Sequence, residues 1–157
     1  MNAPAALLAI LLGTDPSCAP PEPAPETMLD WLARAPVRAA LERLLERAQY
    51  GLASFESAAW VVEDGKGGVG LRHWEFSGAA ERATWRGPAP AGALAVVHTH
   101  PRRMDARPSA RDAALARRLG LPVYVLTTKG LWVARADGGI HLEALAPRRC
   151  ARLACLP

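Results

Sequence analysis

The sequence contains few of the residues that build covalent or membrane-spanning scaffolds. Its three cysteines, Cys18, Cys150 and Cys155, are odd in number and include no Cys-x-x-Cys pair. This pattern argues against a disulfide framework or a zinc knuckle and favours free thiols. The apolar run at residues 5–12 is too short to cross a bilayer, so we expect no membrane span.

Lysine is also scarce, with Lys66 and Lys129 as its only occurrences among 19 basic residues, and the net charge is a modest +4. The arginines are scattered except for a group within residues 102–107. No stacking aromatic residues accompany this group, so we expect no specific nucleic-acid partner. The group is typical of a solvated basic loop, although it also suits an acidic protein surface or a substrate carboxylate.

The chain of 157 residues is long enough for one domain with a packed core. We divide it into an apolar segment with a Pro-rich linker at residues 1–26 and a globular domain at residues 27–157. The first segment lacks the basic start and the cleavage site of a signal peptide. A cytoplasmic protein is therefore predicted, and secretion through residues 1–20 is the minority interpretation.

Alternating helical and strand patterns predict an α+β domain built around one sheet. Residues 27–49 are helical in pattern, divided by Pro36, and residues 37–48 carry an apolar stripe on one face. Gly51 is expected to end this helix. Strands are predicted at residues 58–62, 69–76, 94–97, 121–127, 131–134 and 140–145, with a short additional strand at 83–86.

The stretch from residue 95 to residue 112 carries the most specific pattern. A buried strand delivers His98 and His100, whose side chains share one face because strand residues two apart do so. Pro101 ends the strand, a short loop follows, and Asp112 lies in the first turn of the next helix. Two histidines and one carboxylate form the ligand set of a catalytic zinc that keeps a fourth position for water.

Each part of this pattern has a simpler interpretation. A histidine pair at a strand end is also typical of a solvated loop. The Ser109-x-x-Asp112 spacing is equally typical of a helix capping box, with Ser109 as the N-cap and an acidic residue three positions later. The order of the parts along the chain is more specific than any one of them.

This order resembles the signature of the JAMM metalloproteases, the catalytic MPN-domain family. That signature is an upstream Glu, then His-Ser/Thr-His-Pro, then Ser-x-x-Asp, and the chain supplies residues 98–101 and 109–112. The loop between the two parts is one residue longer than is usual in the family, and we interpret the extra residue as a bulge. The resemblance covers about residues 37 to 145.

The resemblance implies a single MPN-like domain, with a central mixed curved sheet flanked by helices and a zinc site at the end of a buried strand. Zinc would be held by His98, His100 and Asp112. The catalytic glutamate of the family stands at the start of the strand that follows the first long helix, where Glu56 lies. Glu63, at the far end of that strand, is the alternative. Ser109 would stabilise the oxyanion, a role that competes with capping.

The activity implied is that of a zinc peptidase or isopeptidase acting on a protein or peptide, with a ubiquitin-like protein among the candidate substrates. Only 45 residues follow Asp112. The insertion that eukaryotic deubiquitinases of this family carry is therefore not expected, and the compact bacterial type fits better. The alternative is a non-catalytic scaffold or metal-binding module that pairs with a protein partner. The sequence leaves the oligomeric state open.

Overall fold

The structure is a computed structural model that describes residues 28–75 and 83–145. Within these ranges the chain forms three α-helices, one short 3-10 helix and six strands. In chain order they are α1 (Met28–Leu32), α2 (Ala35–Arg47), the 3-10 helix (Gln49–Gly51), β1 (Ala58–Glu63), β2 (Val69–His73), β3 (Ala93–Thr99), α3 (Ala110–Leu119), β4 (Val123–Thr127), β5 (Gly130–Ala134) and β6 (Ile140–Leu145).

The six strands form one mixed sheet in the order β2-β1-β3-β4-β5-β6. Neighbouring strands are antiparallel except β3 and β4, which are parallel. A parallel pair needs a crossover connection, and α3 lies in that connection. The predicted α+β class with a central mixed sheet is confirmed, and β3, the strand of the histidines, lies inside the sheet with a neighbour on each side.

The two faces of the sheet are covered by different helices, and each face has its own apolar core. Residues of α1 and α2 pack on one face against alternate residues of β1, β3, β4 and β5. Ala113 and Ala116 of α3 pack on the other face, against Trp60, Val96 and Val123. This alternation follows from strand geometry, which sends successive side chains to opposite faces. It places the start of α3 on the face to which His98 points.

Helix α2 has the apolar stripe that the sequence predicts. Val37, Leu41, Leu44 and Leu45 are buried on one side of the helix. Pro36 stands in its first turn, where a missing N–H costs no helical hydrogen bond. The stripe fixes α2 against the sheet, and the chain that leaves its C-terminal end leads directly to Glu56.

Three local predictions need correction. The second strand ends at His73 rather than residue 76, and residues 83–86 form no strand. Helix α2 ends at Arg47, and the 3-10 turn that follows holds Gln49 and Tyr50 at φ of 50° and 52°. Predicted strands and helices elsewhere are confirmed within two residues at each end.

Some predictions lie outside the described residues. They are the character of residues 1–26 and the state of the three cysteines. In the described part of the chain, no helix combines the length and the apolar character needed to cross a bilayer.

Candidate metal centre

Strand β3 brings two histidine side chains to one point. The Nε2 atoms of His98 and His100 are 3.1 Å apart, and the two residues are only 5% and 4% exposed. Burial lowers the pKa of His98 to about 4; Asp112 opposes this shift and the neighbouring His100 adds to it. His98 is therefore neutral near pH 7, which is the form that binds a metal ion.

The orientation of His100 is set by a backbone carbonyl in the following loop. Its Nδ1 atom lies 2.6 Å from the carbonyl oxygen of Asp105. Because a carbonyl only accepts, Nδ1 donates to it, and Nε2 is the ring nitrogen that faces the cluster. Asp105 stands in the loop that is one residue longer than the family pattern, so this loop contributes an atom that supports the site.

Asp112 takes part in the helix cap and in the cluster at the same time. Its Oδ1 lies 3.3 Å from His98 Nε2. Its Oδ2 lies 3.8 Å from His100 Nε2 and accepts hydrogen bonds from Ser109 N at 2.6 Å and Ser109 Oγ at 2.7 Å. The capping box is complete, since Asp112 N also donates to Ser109 Oγ. The two interpretations of Ser109-x-x-Asp112 are therefore compatible.

The charge of Asp112 is favoured by these neighbours. Burial would raise the pKa of this carboxyl group, but His98 and the hydrogen bonds from Ser109 outweigh burial and hold the pKa below its usual value. A carboxylate that stays ionised can serve as a metal ligand.

Glu56 reaches the cluster from the segment before β1. Its Oε1 lies 3.9 Å from His100 Nε2, and its Oε2 accepts a hydrogen bond from Ala83 N at 3.2 Å. Glu63 is exposed at the opposite end of β1, where it pairs with Val69. Of the two glutamates considered from the sequence, the structure brings Glu56 to the histidines and holds Glu63 a strand length away.

The donor atoms fit a small divalent cation. One ligand atom each from Glu56, His98 and His100 all lie within 4.8 Å of one another. Tetrahedral zinc with bonds of about 2.0–2.1 Å places its ligand atoms about 3.3 Å apart. The distances from His98 Nε2 to His100 Nε2 and to Asp112 Oδ1 are 3.1 and 3.3 Å. Glu56 and Asp112 lie at almost the same distance from His100 Nε2, 3.9 Å and 3.8 Å, so both carboxylates border the histidine pair.

A cleft of about 250 Å³ opens beside Glu56. Among the described residues its lining surface is largely apolar, with Phe55 and Trp74 contributing to it, and Arg47 and Glu75 add charged groups. A cavity with an apolar wall next to a few polar groups is the usual form of a site for a small ligand or a side chain. The cleft is therefore a space next to the Glu56 carboxylate that a small group can enter.

The basic loop after His100 is exposed, as the sequence predicts, but its arginines contact the domain. Arg102 Nε donates to Tyr50 O at 3.1 Å, and the guanidinium carbon of Arg107 lies 5.4 Å from the centre of the Trp132 ring. Neither histidine outside the motif joins the cluster. His141 is exposed, and burial together with Arg47 and Arg43 lowers the pKa of His73.

Several atoms that support the site had no signal in the sequence. The carbonyl of Asp105 and the N–H of Ala83 belong to the backbone, which every residue type supplies. Thr99 points to the face opposite the histidines, is 1% exposed and binds the backbone of Ser57 through its hydroxyl group. The Ser/Thr position of the motif is the one signal that could have drawn attention to it.

Comparison with known proteins gives one family. Residues 37–138 match the model of the family described as prokaryotic homologs of the JAB domain. The matched range contains both histidines, Asp112, Ser109 and Glu56. No curated protein and no solved structure matches the chain.

Proposed function

This chain belongs to the family of prokaryotic homologs of the JAB domain, and we propose that it is a zinc-dependent hydrolase of amide bonds. One observation carries the proposal. Three separate elements, the segment before β1, the end of β3 and the start of α3, bring Glu56, the two histidines and Asp112 within 3.1–3.9 Å of their neighbours in the cluster. Buried polar groups are costly unless they are paired or bind an ion, so this convergence favours a metal site.

The chemistry of the site follows from the position of each side chain. His98, His100 and Asp112 would hold the ion. Zinc bound there would lower the pKa of a water ligand to about 7 and polarise a carbonyl group. Glu56 faces the histidine pair through Oε1, while the Ala83 N–H holds Oε2. This geometry suits a general base that takes a proton from the attacking water and returns it to the leaving amine.

Ser109 has a second role in the proposal. Its hydroxyl group donates to Asp112 Oδ2, at the margin of the cluster, and Ser109 itself is exposed. A hydroxyl group at this place can turn toward a substrate carbonyl oxygen and stabilise the negative charge that develops there. Ser109 N would keep its own bond to Asp112 Oδ2, so the orientation of the carboxylate does not depend on the hydroxyl alone.

We propose a protein or peptide substrate, with a conjugate of a ubiquitin-like protein as one candidate. In the described part of the chain, α3 is followed directly by β4, since Leu119 ends the helix and Val123 begins the strand. This connection leaves no room for an insertion that would recognise a second protein. We therefore propose that the cleft beside Glu56 selects the substrate residues next to the cleaved bond.

The test combines metal removal with hydrolysis. The purified protein is freed of metal by a chelator, reloaded with zinc, and incubated with a linear peptide and with a peptide joined through a lysine side chain. We expect cleavage that is lost on chelation and restored by zinc. The double variant His98→Ala/His100→Ala should lose the metal and the activity, whereas His141→Ala, an exposed histidine on β6, should keep both.

Circular dichroism checks that the double variant is folded. Stoichiometric zinc without hydrolysis of either substrate would favour the alternative of a metal-binding scaffold. Full activity of the chelated protein, or full retention of zinc by the double variant, would overturn the proposal.

A further inference from the structure

Thr99 stands between the two histidines in the chain but points to the opposite face of β3. Its hydroxyl oxygen accepts a hydrogen bond from Ser57 N at 3.0 Å and lies 3.4 Å from Ser57 O, to which it can donate. The backbone N–H of Thr99 donates to the same Ser57 oxygen at 2.9 Å. Two residues that are 42 positions apart are thus joined by three contacts in a region closed to solvent.

The position of Ser57 links these contacts to Glu56. The first pair of the β1–β3 ladder is Ala58 with His98, so Ser57 lies just outside the regular ladder. The peptide group that contains Ser57 N also contains the carbonyl carbon of Glu56. When the Thr99 hydroxyl accepts from Ser57 N, it restrains the plane of the peptide group bonded to the Glu56 Cα atom, from which the side chain extends.

The geometry of Glu56 is sensitive to that plane. Its Oε1 lies 3.9 Å from His100 Nε2, which is close enough for one water to lie within hydrogen-bond distance of both atoms. A displacement of about 1 Å at a catalytic group can cost about 100-fold in rate. The Ala83 N–H supports the far oxygen of the carboxylate, but it acts on the end of the side chain and not on its origin.

We infer that Thr99 is a positioning residue, which uses its hydroxyl group to hold the Glu56–Ser57 peptide in register with the two histidines. The inference rests on the proposed function, because the register matters for the rate only if Glu56 is the base. It adds to that function a second contribution from this part of the chain: the histidines bind the ion, and the residue between them sets the distance to the base.

The test replaces the hydroxyl group while keeping the shape. Thr99→Val removes the acceptor and the donor, and Thr99→Ser retains both. We expect the kcat of Thr99→Val to fall about 10- to 100-fold, within the range that small misplacements produce. The KM and the zinc content should stay as in the wild type, and Thr99→Ser should restore the rate.

A matched control lies at the end of the neighbouring strand. Thr127 Oγ1 also makes two backbone bonds, accepting from Lys129 N at 3.1 Å and donating to Gly130 O at 3.1 Å. Thr127→Val therefore removes the same kind of bonds from a strand end that carries no base. We expect its kcat to stay close to the wild-type value.

Hydrogen exchange in the metal-free protein gives a readout that does not depend on activity. The Ser57 amide should exchange much faster in Thr99→Val than in the wild type and remain protected in Thr99→Ser. If Thr99→Val does not fold, Thr99→Ala provides the same loss of the hydroxyl group.

The outcomes separate the inference from the proposed function. An unchanged kcat in Thr99→Val, a loss of zinc, a rise in KM alone, or an equal loss of rate in Thr127→Val would each overturn the positioning role. If the wild type hydrolyses neither substrate, the proposed function fails. The exchange of the Ser57 amide then still decides whether Thr99 holds that peptide.

Discussion

Gly51 lies so close to the carbonyl oxygen of His100 that a Cβ atom added to the glycine would be 3.2 Å from that oxygen. The same added atom would be 3.1 Å from Arg102 Cγ. Gly51 also accepts a hydrogen bond from Arg102 N at 2.8 Å. The turn that follows α2 therefore packs tightly against the chain that leaves the histidines, and glycine is favoured there by this close approach as well as by its φ of 82°.

Gly51→Ala should destabilise the protein by more than the backbone conformation alone explains. A non-glycine residue in the left-handed region costs about 1–2 kcal/mol, and displacement of the His100 carbonyl adds to this cost. Gly65→Ala is the control, because Gly65 has a φ of 73° with no atom within 4 Å of the added Cβ. Urea unfolding measures both. Equal losses of stability in the two variants would show that the contact with His100 is unimportant.

The second prediction distinguishes the two glutamates. Glu56→Gln should keep the metal and lose hydrolysis by about 100-fold or more, because a general base acts on water without serving as a ligand. Glu63→Gln should be active, since Glu63 is exposed at the other end of β1. Zinc content and kcat are measured for both. An active Glu56→Gln beside an inactive Glu63→Gln would mean that the wrong carboxylate has been assigned.

The site was predictable from sequence where its geometry follows from local pattern. The apolar run before His98 predicted a buried strand, and the i, i+2 spacing predicted that the two histidines share a face of it. The Ser109-x-x-Asp112 spacing predicted the start of α3, whereas the expectation that Asp112 meets the histidines came from the family resemblance. Each of these features depends on side chains within a few residues of one another, so the chain needs no tertiary information to specify them.

The rest depends on backbone atoms brought together over long separations. The Ala83 N–H that donates to Glu56 lies 27 residues from it along the chain. Because a backbone N–H does not depend on the type of side chain, the sequence contains no signal for this contact. The left-handed turn at Gln49 and Tyr50 was missed because neither residue is a glycine or an asparagine, the types that usually mark such positions; in the structure Arg102 Nε donates to the Tyr50 carbonyl. The sequence likewise has no turn residue directly after His73 that would predict the end of β2 there.

The third prediction concerns alkaline pH. Burial raises the pKa of Tyr124, opposed by a hydrogen bond from Met28 N at 3.4 Å. A tyrosine in the unfolded chain ionises near pH 10, below the value in the folded protein. The neutral phenol therefore adds stability that is complete below about pH 10 and is lost as the pH rises through the folded-state pKa.

Tyr124→Phe tests this by removing the titration. Its free energy of unfolding should fall less steeply above about pH 10 than that of the wild type, as measured by urea unfolding at a series of pH values. Near pH 7 the variant should be less stable by about 1 kcal/mol, because the buried Met28 N–H loses its acceptor. Parallel pH profiles for the two proteins would contradict the assignment of the shift to Tyr124.

The last prediction separates the two roles of Ser109. As the N-cap of α3, its hydroxyl oxygen accepts from Asp112 N, and loss of such a cap costs about 1 kcal/mol. As a donor to the developing oxyanion, its loss should lower kcat about 100-fold. Ser109→Ala removes both functions and should show both effects.

Ser109→Thr and Ser109→Asn distinguish the roles, because both residues cap helices well but only threonine keeps a hydroxyl group at the same place. We expect both variants to have thermal stabilities close to the wild type. Ser109→Thr should retain most of the activity, and Ser109→Asn should lose about 100-fold in kcat. Zinc must be measured in every variant, since Ser109 Oγ also donates to the carboxylate proposed as a ligand. A Ser109→Asn protein with one bound zinc and the wild-type rate would reduce Ser109 to a cap, and the charge on the oxyanion would then have to be stabilised without this hydroxyl group.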